Sequence, residues 1–398
     1  MEYYIYSMSY YMIPRTYLFT YKNIECIDGD PSLIISQSIS HYLCDMKEKI
    51  TTKEKQWDIY KKYTNPYEYI HTVTPFKKKA VSKHKPLSRS FFKMIEIIQT
   101  FKMQFRGPIR SFHLAEGPGG FIEAICKTRS NKDDIYIGMT LLDDRKNDAS
   151  VPAWKKSDGF LKSNPNVFLE NGIDGTGNIL SFENFECIIA KYPEKMDLIT
   201  ADGGFDFSMD FNQQEIFIGK LLFAQMAFAI CLQKYRGKFV LKIFDCFMQH
   251  TVDILYILSS FYEKVYIMKP NTSRYANSER YIVCIGFLYD NHTSFYPYIS
   301  TCFKNMLISK NPRRFLNIPI SNLFIKKLED YNAIFGQKQI QNIHFTMSLI
   351  ENKPKYDKLE ALIQTNIEKS MEWCSRYNLP YNTLNIPTNI FLTTNDSV

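Results

Sequence analysis

From residue 88 to about residue 290 the apolar positions switch repeatedly between two periods. Phe91, Ile95 and Ile98 recur at i, i+4 and i+7, which predicts one buried stripe of a helix. Ser88 stands ahead of them, where its hydroxyl can cap the helix, and Lys93 lies off the stripe. Short apolar runs over 111–115, 135–139, 167–169, 196–201, 238–244, 265–268 and 281–287 predict seven strands. Helical patterns over 121–127, 212–233 and 251–262 fall between them. Outside this region the pattern is helical, over 31–49 and 53–62 at one end and over 320–331, 337–350 and 357–377 at the other. The run Thr64-Asn65-Pro66-Tyr67-Glu68 breaks the first set. The expected organisation is an N-terminal extension over 1–55, a main domain over 56–300 and a helical region over 301–398.

Strands alternating with helices predict an α/β fold with a mostly parallel, doubly wound sheet. Only residues 269–280, with Pro270 among them, separate the last two strands. That is too short for a crossover helix, so this pair is expected to run antiparallel. A seven-stranded mixed sheet of this kind is the Rossmann-like shape of class I methyltransferases, here with helical N- and C-terminal extensions.

Charge sharpens the picture. The chain of 398 residues carries a net +8, but residues 77–110 hold ten lysines and arginines against the single acid Glu96. Such a focus attracts phosphate. Nine cysteines without a Cys-x-x-Cys pair and seven unclustered histidines predict neither a metal site nor a disulfide framework. Isolated thiols fit an intracellular, soluble protein. The apolar stretch 221–232 is interrupted by Gln225 and is too short to span a bilayer. The start, Met1-Glu2-Tyr3-Tyr4-Ile5-Tyr6, lacks the pattern of a signal peptide.

Candidate chemistry gathers at the predicted strand ends. Glu116-Gly117-Pro118-Gly119-Gly120-Phe121 follows the first strand and opens a helix, where glycines permit close approach and unusual dihedrals. The spacing is neither that of dinucleotide binders nor that of a phosphate loop. A second turn, Asp174-Gly175-Thr176-Gly177-Asn178, follows the third strand; Asp174 or Asn178 can accept from an adenine amino group or simply shape the turn. Asp202 ends the fourth strand, Lys242 lies in the fifth and Glu279 precedes the seventh. With Lys93 they make two amines and two acids converging on one sheet edge. A hydroxyl is a very weak acid, and a lysine kept neutral by burial and a nearby cation can take its proton. We assign Lys242 as that base, Lys93 as the cation, and Asp202 and Glu279 as orienting groups.

These residues resemble the FtsJ-like 2′-O-ribose methyltransferases, which use a Lys-Asp-Lys-Glu tetrad and S-adenosylmethionine. Ser88-Arg89-Ser90-Phe91-Phe92-Lys93 looks like the family's first-lysine helix, and the Glu116–Phe121 turn resembles its cofactor motif. Ala201-Asp202-Gly203-Gly204-Phe205, Asn212-Gln213-Gln214-Glu215 and Lys269-Pro270-x-x-Ser273-Arg274-x-x-Asn277-Ser278-Glu279-Arg280-Tyr281 extend the likeness over roughly residues 56–290. Within the family the nearest likeness is to the mRNA cap enzymes of eukaryotes and large DNA viruses. The resemblance implies methylation of the first transcribed nucleotide of capped mRNA, with capping or transcription proteins as partners. It adds Asp202 to the cofactor residues and makes Lys61, Asn212, Gln213, Gln214, Arg274 and Glu279 candidate RNA or cap contacts. Asn178 departs from the aspartate common in cap enzymes. The place of action implied is host cytoplasm or virion for a viral protein and the nucleus for a cellular one. Two other readings remain open: a ribosomal or transfer RNA methyltransferase with the same tetrad, and a non-catalytic cap- or RNA-binding subunit.

Overall fold

The computed structural model describes residues 10–17, 20–30, 32–75, 78–142, 151, 153–204 and 212–384. Met1 to Tyr6, Lys77 and Phe205, all used above, lie outside them. The chain forms two compact units, Met1–Thr51 with Pro86–Gln341, and Thr52–Lys85 with Asn342–Val398.

Ten strands are described: β1 (Tyr10–Ile13), β2 (Ile24–Asp28), β3 (Arg110–Leu114), β4 (Ile135–Met139), β5 (Val167–Glu170), β6 (Met196–Ala201), β7 (Gln233–Ile243), β8 (Tyr262–Met268), β9 (Arg280–Phe287) and β10 (Pro312–Leu316). Eight of them form one sheet in the order β1-β8-β9-β7-β6-β3-β4-β5. All seven expected strands are there. β9 inserts between β7 and β8 and runs antiparallel to both, as the short linker requires. An eighth strand, β1, joins β8 at the edge, and β2 pairs with β10 in a separate sheet. Only Ile13 of β1 is buried, so its sequence carries no alternation to read.

The helices are α1 (Gln37–Thr51), α2 (Glu54–Tyr60), α3 (Ser90–Thr100), α4 (Gly120–Arg129), α5 (Asp158–Ser163), α6 (Phe182–Lys191), α7 (Gln214–Leu232), α8 (Gln249–Phe261), α9 (Tyr296–Ile308), α10 (Asn322–Asn352) and α11 (Tyr356–Arg376). Strand order moves outward from β3 to β4 and β5, then returns to β6 and β7. Right-handed crossovers therefore put α4 and α5 on one face and α6, α7 and α8 on the other, with the switch point between β3 and β6.

Three details depart from the sequence reading. α1 starts at Gln37 because Leu33 instead bridges to Met248. α3 starts at Ser90; Ser88 bonds the Ser90 hydroxyl rather than capping the helix with its side chain. The two helices expected over 320–350 are one, α10. Gly336 does not break it, since its bare Cα admits Ile39 of α1, which would stand 2.7 Å from a Cβ there. α7 is also longer than its apolar core. Its 19 residues suffice by length and composition to cross a membrane, but 83% of that window is buried inside the protein, as a helix apolar on all sides requires.

In the second unit, Asn342 donates to the Thr64 carbonyl at 3.0 Å and Asn366 of α11 to that of Tyr63 at 2.8 Å. Ser82 bridges to Tyr381.

Candidate active site

Asp202 leaves the carboxyl end of β6, Lys242 lies near the carboxyl end of β7 and Glu279 immediately precedes β9, all within the first unit. The register sets Lys242 opposite Tyr281 and Ile243 opposite Arg280, so the entry to β9 lies against the exit of β7. α3 then delivers Lys93. The four residues form two ion pairs. Lys93 Nζ lies 2.7 Å and 2.8 Å from the two Glu279 carboxylate oxygens. Lys242 Nζ lies 2.6 Å from the Asp202 carbonyl and 3.3 Å from its Oδ1. Tyr281 stands between the pairs. Its hydroxyl donates to Asp202 Oδ1 at 2.9 Å, and Lys93 lies 6.0 Å from its ring centroid.

The electrostatics follow from this crowding. Burial alone would raise the Glu279 carboxyl, but Lys93 and then Lys242 outweigh it and hold it down at about 2. Burial pushes Tyr281 well above the ordinary phenol range, and the charges of Asp202 and Glu279 add to this. The site is thus a compact array of alternating charges on the carboxyl edge of the sheet.

Residues to which the sequence reading gave no role hold this array. Glu96, three residues after Lys93 on α3, accepts from the Asn271 backbone at 2.7 Å and from that of Thr272 at 3.2 Å. Lys269 is buried, and its amine lies 2.8 Å from Asn277 Oδ1 and 2.7 Å and 3.0 Å from the carbonyls of Asn277 and Glu279. Burial brings that amine down to about 7. Gln225, the polar break in the apolar run of α7, accepts from the Gly203 backbone at 3.0 Å. Glu215 binds the backbone of Phe247 and Met248 after β7. Arg280, fully buried, donates to Asn332 of α10 at 3.0 Å; Asp245, 3.5 Å from Arg280, also pairs with Lys47 of α1 at 3.1 Å. These partners are mostly backbone atoms or residues distant in sequence, so no local pattern announces the contacts.

The glycine turn answers partly to the protein itself. A Cβ on Gly117 would meet the Ala153 carbonyl at 2.5 Å, and one on Gly120 the Ser88 and Ser90 hydroxyls at 2.2 Å. Gly119 has φ +106° and faces Trp154. The Pro118 carbonyl accepts from Ser157 at 2.6 Å. Glu116 Oε1 caps α4 through the backbone of Phe121 and Ile122, while Oε2 is buried without a hydrogen-bond partner. Burial, then the Asp202 charge, push the Glu116 carboxyl well up. The unpartnered Oε2 of Glu116 is a buried acceptor at the turn that suits a polar, cationic ligand. Gly204 keeps the space beside Lys242 open: a Cβ would lie 3.3 Å from Nζ. The residues present therefore fit a positively charged methyl donor.

The second turn is held from α6. Asn184 Nδ2 donates to Asp174 Oδ1 and to the Asn178 carbonyl, both at 2.9 Å. Asp174 Oδ1 also takes the Thr176 backbone and hydroxyl, and Asn178 Oδ1 takes the Leu180 backbone. Both side chains shape the turn. Asn212, Gln213 and Gln214 are half-buried at the start of α7, and Arg274 is half-buried in the segment before β9. Lys61 belongs to the second unit, where it pairs with Asp58.

Sheet order, switch point and glycine turn define a Rossmann-like methyltransferase fold. The chain belongs to the FtsJ-like methyltransferase family, which matches residues 86–287. It is 31% identical over 201 residues to the cap-specific mRNA (nucleoside-2′-O-)-methyltransferase 1 of Trypanosoma brucei brucei, covering 48% of this chain and 53% of that protein. The human enzyme of the same name is 32% identical over 249 residues, 56% of this chain and 27% of its own length. A zebrafish cap-specific methyltransferase 2 matches at 28% over 359 residues, 82% of this chain and 45% of that protein. The chain thus spans about half the length of these relatives, or less.

Proposed function

We propose that the protein transfers a methyl group from S-adenosylmethionine to a ribose 2′-hydroxyl of RNA, that of the first transcribed nucleotide of capped mRNA. The observation that carries this is the double ion pair, Lys93–Glu279 and Lys242–Asp202, divided by Tyr281 beside the glycine turn. When bound, S-adenosylmethionine supplies a methyl already activated as a sulfonium, so the protein's task is to align and deprotonate the hydroxyl. Lys242 is the base. In its base form the amine has two N–H donors and one lone pair; the Asp202 carbonyl and Oδ1 are placed to take the donors and leave the lone pair for the hydroxyl proton. Lys93, fixed by Glu279, keeps positive charge beside the developing alkoxide. Glu116 to Phe121, with Asp202, Asp174 and Asn178, hold the donor. Lys61, Asn212, Gln213, Gln214, Arg274 and Glu279 contact the RNA or its cap. The names of the relatives support the cap as the substrate feature, and such a protein acts wherever capped transcripts are made or stored.

Tritiated methyl transfer to matched 7-methylguanosine-capped and uncapped oligonucleotides tests this. Incorporation confined to capped RNA is expected. Equal transfer to structured uncapped RNA would favour a ribosomal or transfer RNA substrate, and tight cap binding without transfer a non-catalytic subunit.

A further inference from the structure

The basic residues between 89 and 110 do not form one patch. Arg89 and Lys93 lie at the active-site end of α3, whereas Lys102, Arg106 and Arg110 lie at the amino end of β3, opposite the end from which the glycine turn departs. Other cations meet them there. α4 ends at Lys127 and Arg129 just before β4 begins, and β7 starts with Lys234, Tyr235 and Arg236 opposite the start of β6. Lys238 and Lys242 are four residues apart on β7, so the two ends are separated by about 13 Å along that strand.

Most acids of this pole are already engaged, Glu263 with Arg236 at 3.8 Å among them, while Asp133 is exposed next to Lys132. Asp134 is held by Arg129, Asp197 by Lys234 at 2.9 Å and Glu194 by Arg110 at 2.7 Å. Among the described residues no carboxylate pairs with Lys102, Arg106, Lys127 or Lys132, all of them exposed. Two aromatic rings lie within the patch, each beside cations. Lys238 Nζ stands 3.8 Å from the Phe105 ring centroid and the Arg129 guanidinium 5.5 Å from it. Tyr235 is 45% exposed, with the Arg236 guanidinium 5.3 Å from its ring. Exposed cations without a carboxylate partner, with an exposed ring among them, suit a polyanion with stackable bases rather than an acidic polypeptide.

We propose that this amino-edge pole is a second nucleic-acid surface, which binds the single-stranded body of an RNA sequence-independently, away from the methylating site. The choice of RNA over DNA rests on the function proposed above; the polyanion binding does not. Such a surface raises the affinity for long transcripts and leaves that for short capped oligonucleotides unchanged.

The test compares wild type with R106E/K127E/R236E and, separately, Tyr235→Ala. Binding of an uncapped 40-nucleotide single-stranded RNA is followed by fluorescence anisotropy across a salt series, beside methyl transfer to a capped tetranucleotide. The triple variant is expected to bind the long RNA at least about ten-fold more weakly at low salt, with its log–log salt slope reduced by about 2. Tyr235→Ala should weaken binding about five-fold or more. Methylation of the tetranucleotide should not change. An unchanged long-RNA affinity and slope in the triple variant would overturn the proposal. So would poly-glutamate of matched charge displacing the RNA from wild type as well as RNA itself does. Because the binding readout needs no methyl transfer, an inactive wild type would sink the methylation reading and leave this one standing.

Discussion

Lys242 is useful because one residue, Asp202, offers it two acceptors, and Asp202 is in turn held by the Tyr281 hydroxyl. Removing the base, Lys242→Ala, is expected to lower kcat at least about 100-fold while the protein stays folded. Steady-state kinetics with circular dichroism check this. Tyr281→Phe deletes only a hydrogen bond to a charged oxygen, so kcat should fall by about ten- to a hundred-fold with donor affinity retained. Titration calorimetry with the donor separates the two effects. At this scale the tetrad was legible because each member stands at a strand end or beside a helix stripe in a distinctive local run. The roles of Tyr281, Lys269, Glu96 and Gln225 were not. Their partners are backbone groups and side chains up to 176 residues away, and a buried polar side chain among apolar neighbours looks the same whether it serves a site or not.

The element that decides the geometry is the segment between β8 and β9. α3 clamps it twice, through Glu96 at Asn271 and Thr272 and through Lys93 at Glu279, while Lys269 and α10 brace it from within. Glu96→Ala removes the acceptor for two backbone amides. Hydrogen exchange should then speed up at Asn271 and Thr272, and kcat should fall more than the melting temperature suggests. Exchange mass spectrometry that finds this segment unchanged would contradict the clamp. The segment was legible as a short, Pro-containing link that forces an antiparallel pair. Its clamping was not, because residues on two different elements share in it. β1, β2 and β10 escaped notice for the opposite reason: each is short and mostly half-exposed, so no period emerges.

Across the whole molecule the site leaves a pH signature. Glu279 sits at about 2 against an ordinary 4.5. Between those values the unfolded chain takes up a proton that the folded chain refuses, so stability falls as pH drops through this window, by on the order of 3 kcal/mol. Lys269 acts in the other range. Its amine sits at about 7 against 10.5, so from pH 7 upward the unfolded chain keeps a proton that the folded chain has lost, and this group's contribution grows as pH rises. Lys269→Met should flatten the rise of melting temperature between pH 7 and 10; an unaltered profile would contradict the assignment. The doubly wound sheet was legible because strand and helix periods alternate from residue 88 to about residue 290. The opposite placement of the basic residues was not, since only the fold separates Lys93 from Arg106. The central claim is that two lysine–acid pairs make one site for methylating a ribose hydroxyl. Its most direct test is nucleoside mass spectrometry of a capped transcript after incubation with donor and either wild type or Lys242→Ala. The account predicts a 2′-O-methyl group on the first nucleotide with wild type and none with the variant. A methyl group on a base, or equal 2′-O-methylation by both proteins, would contradict it.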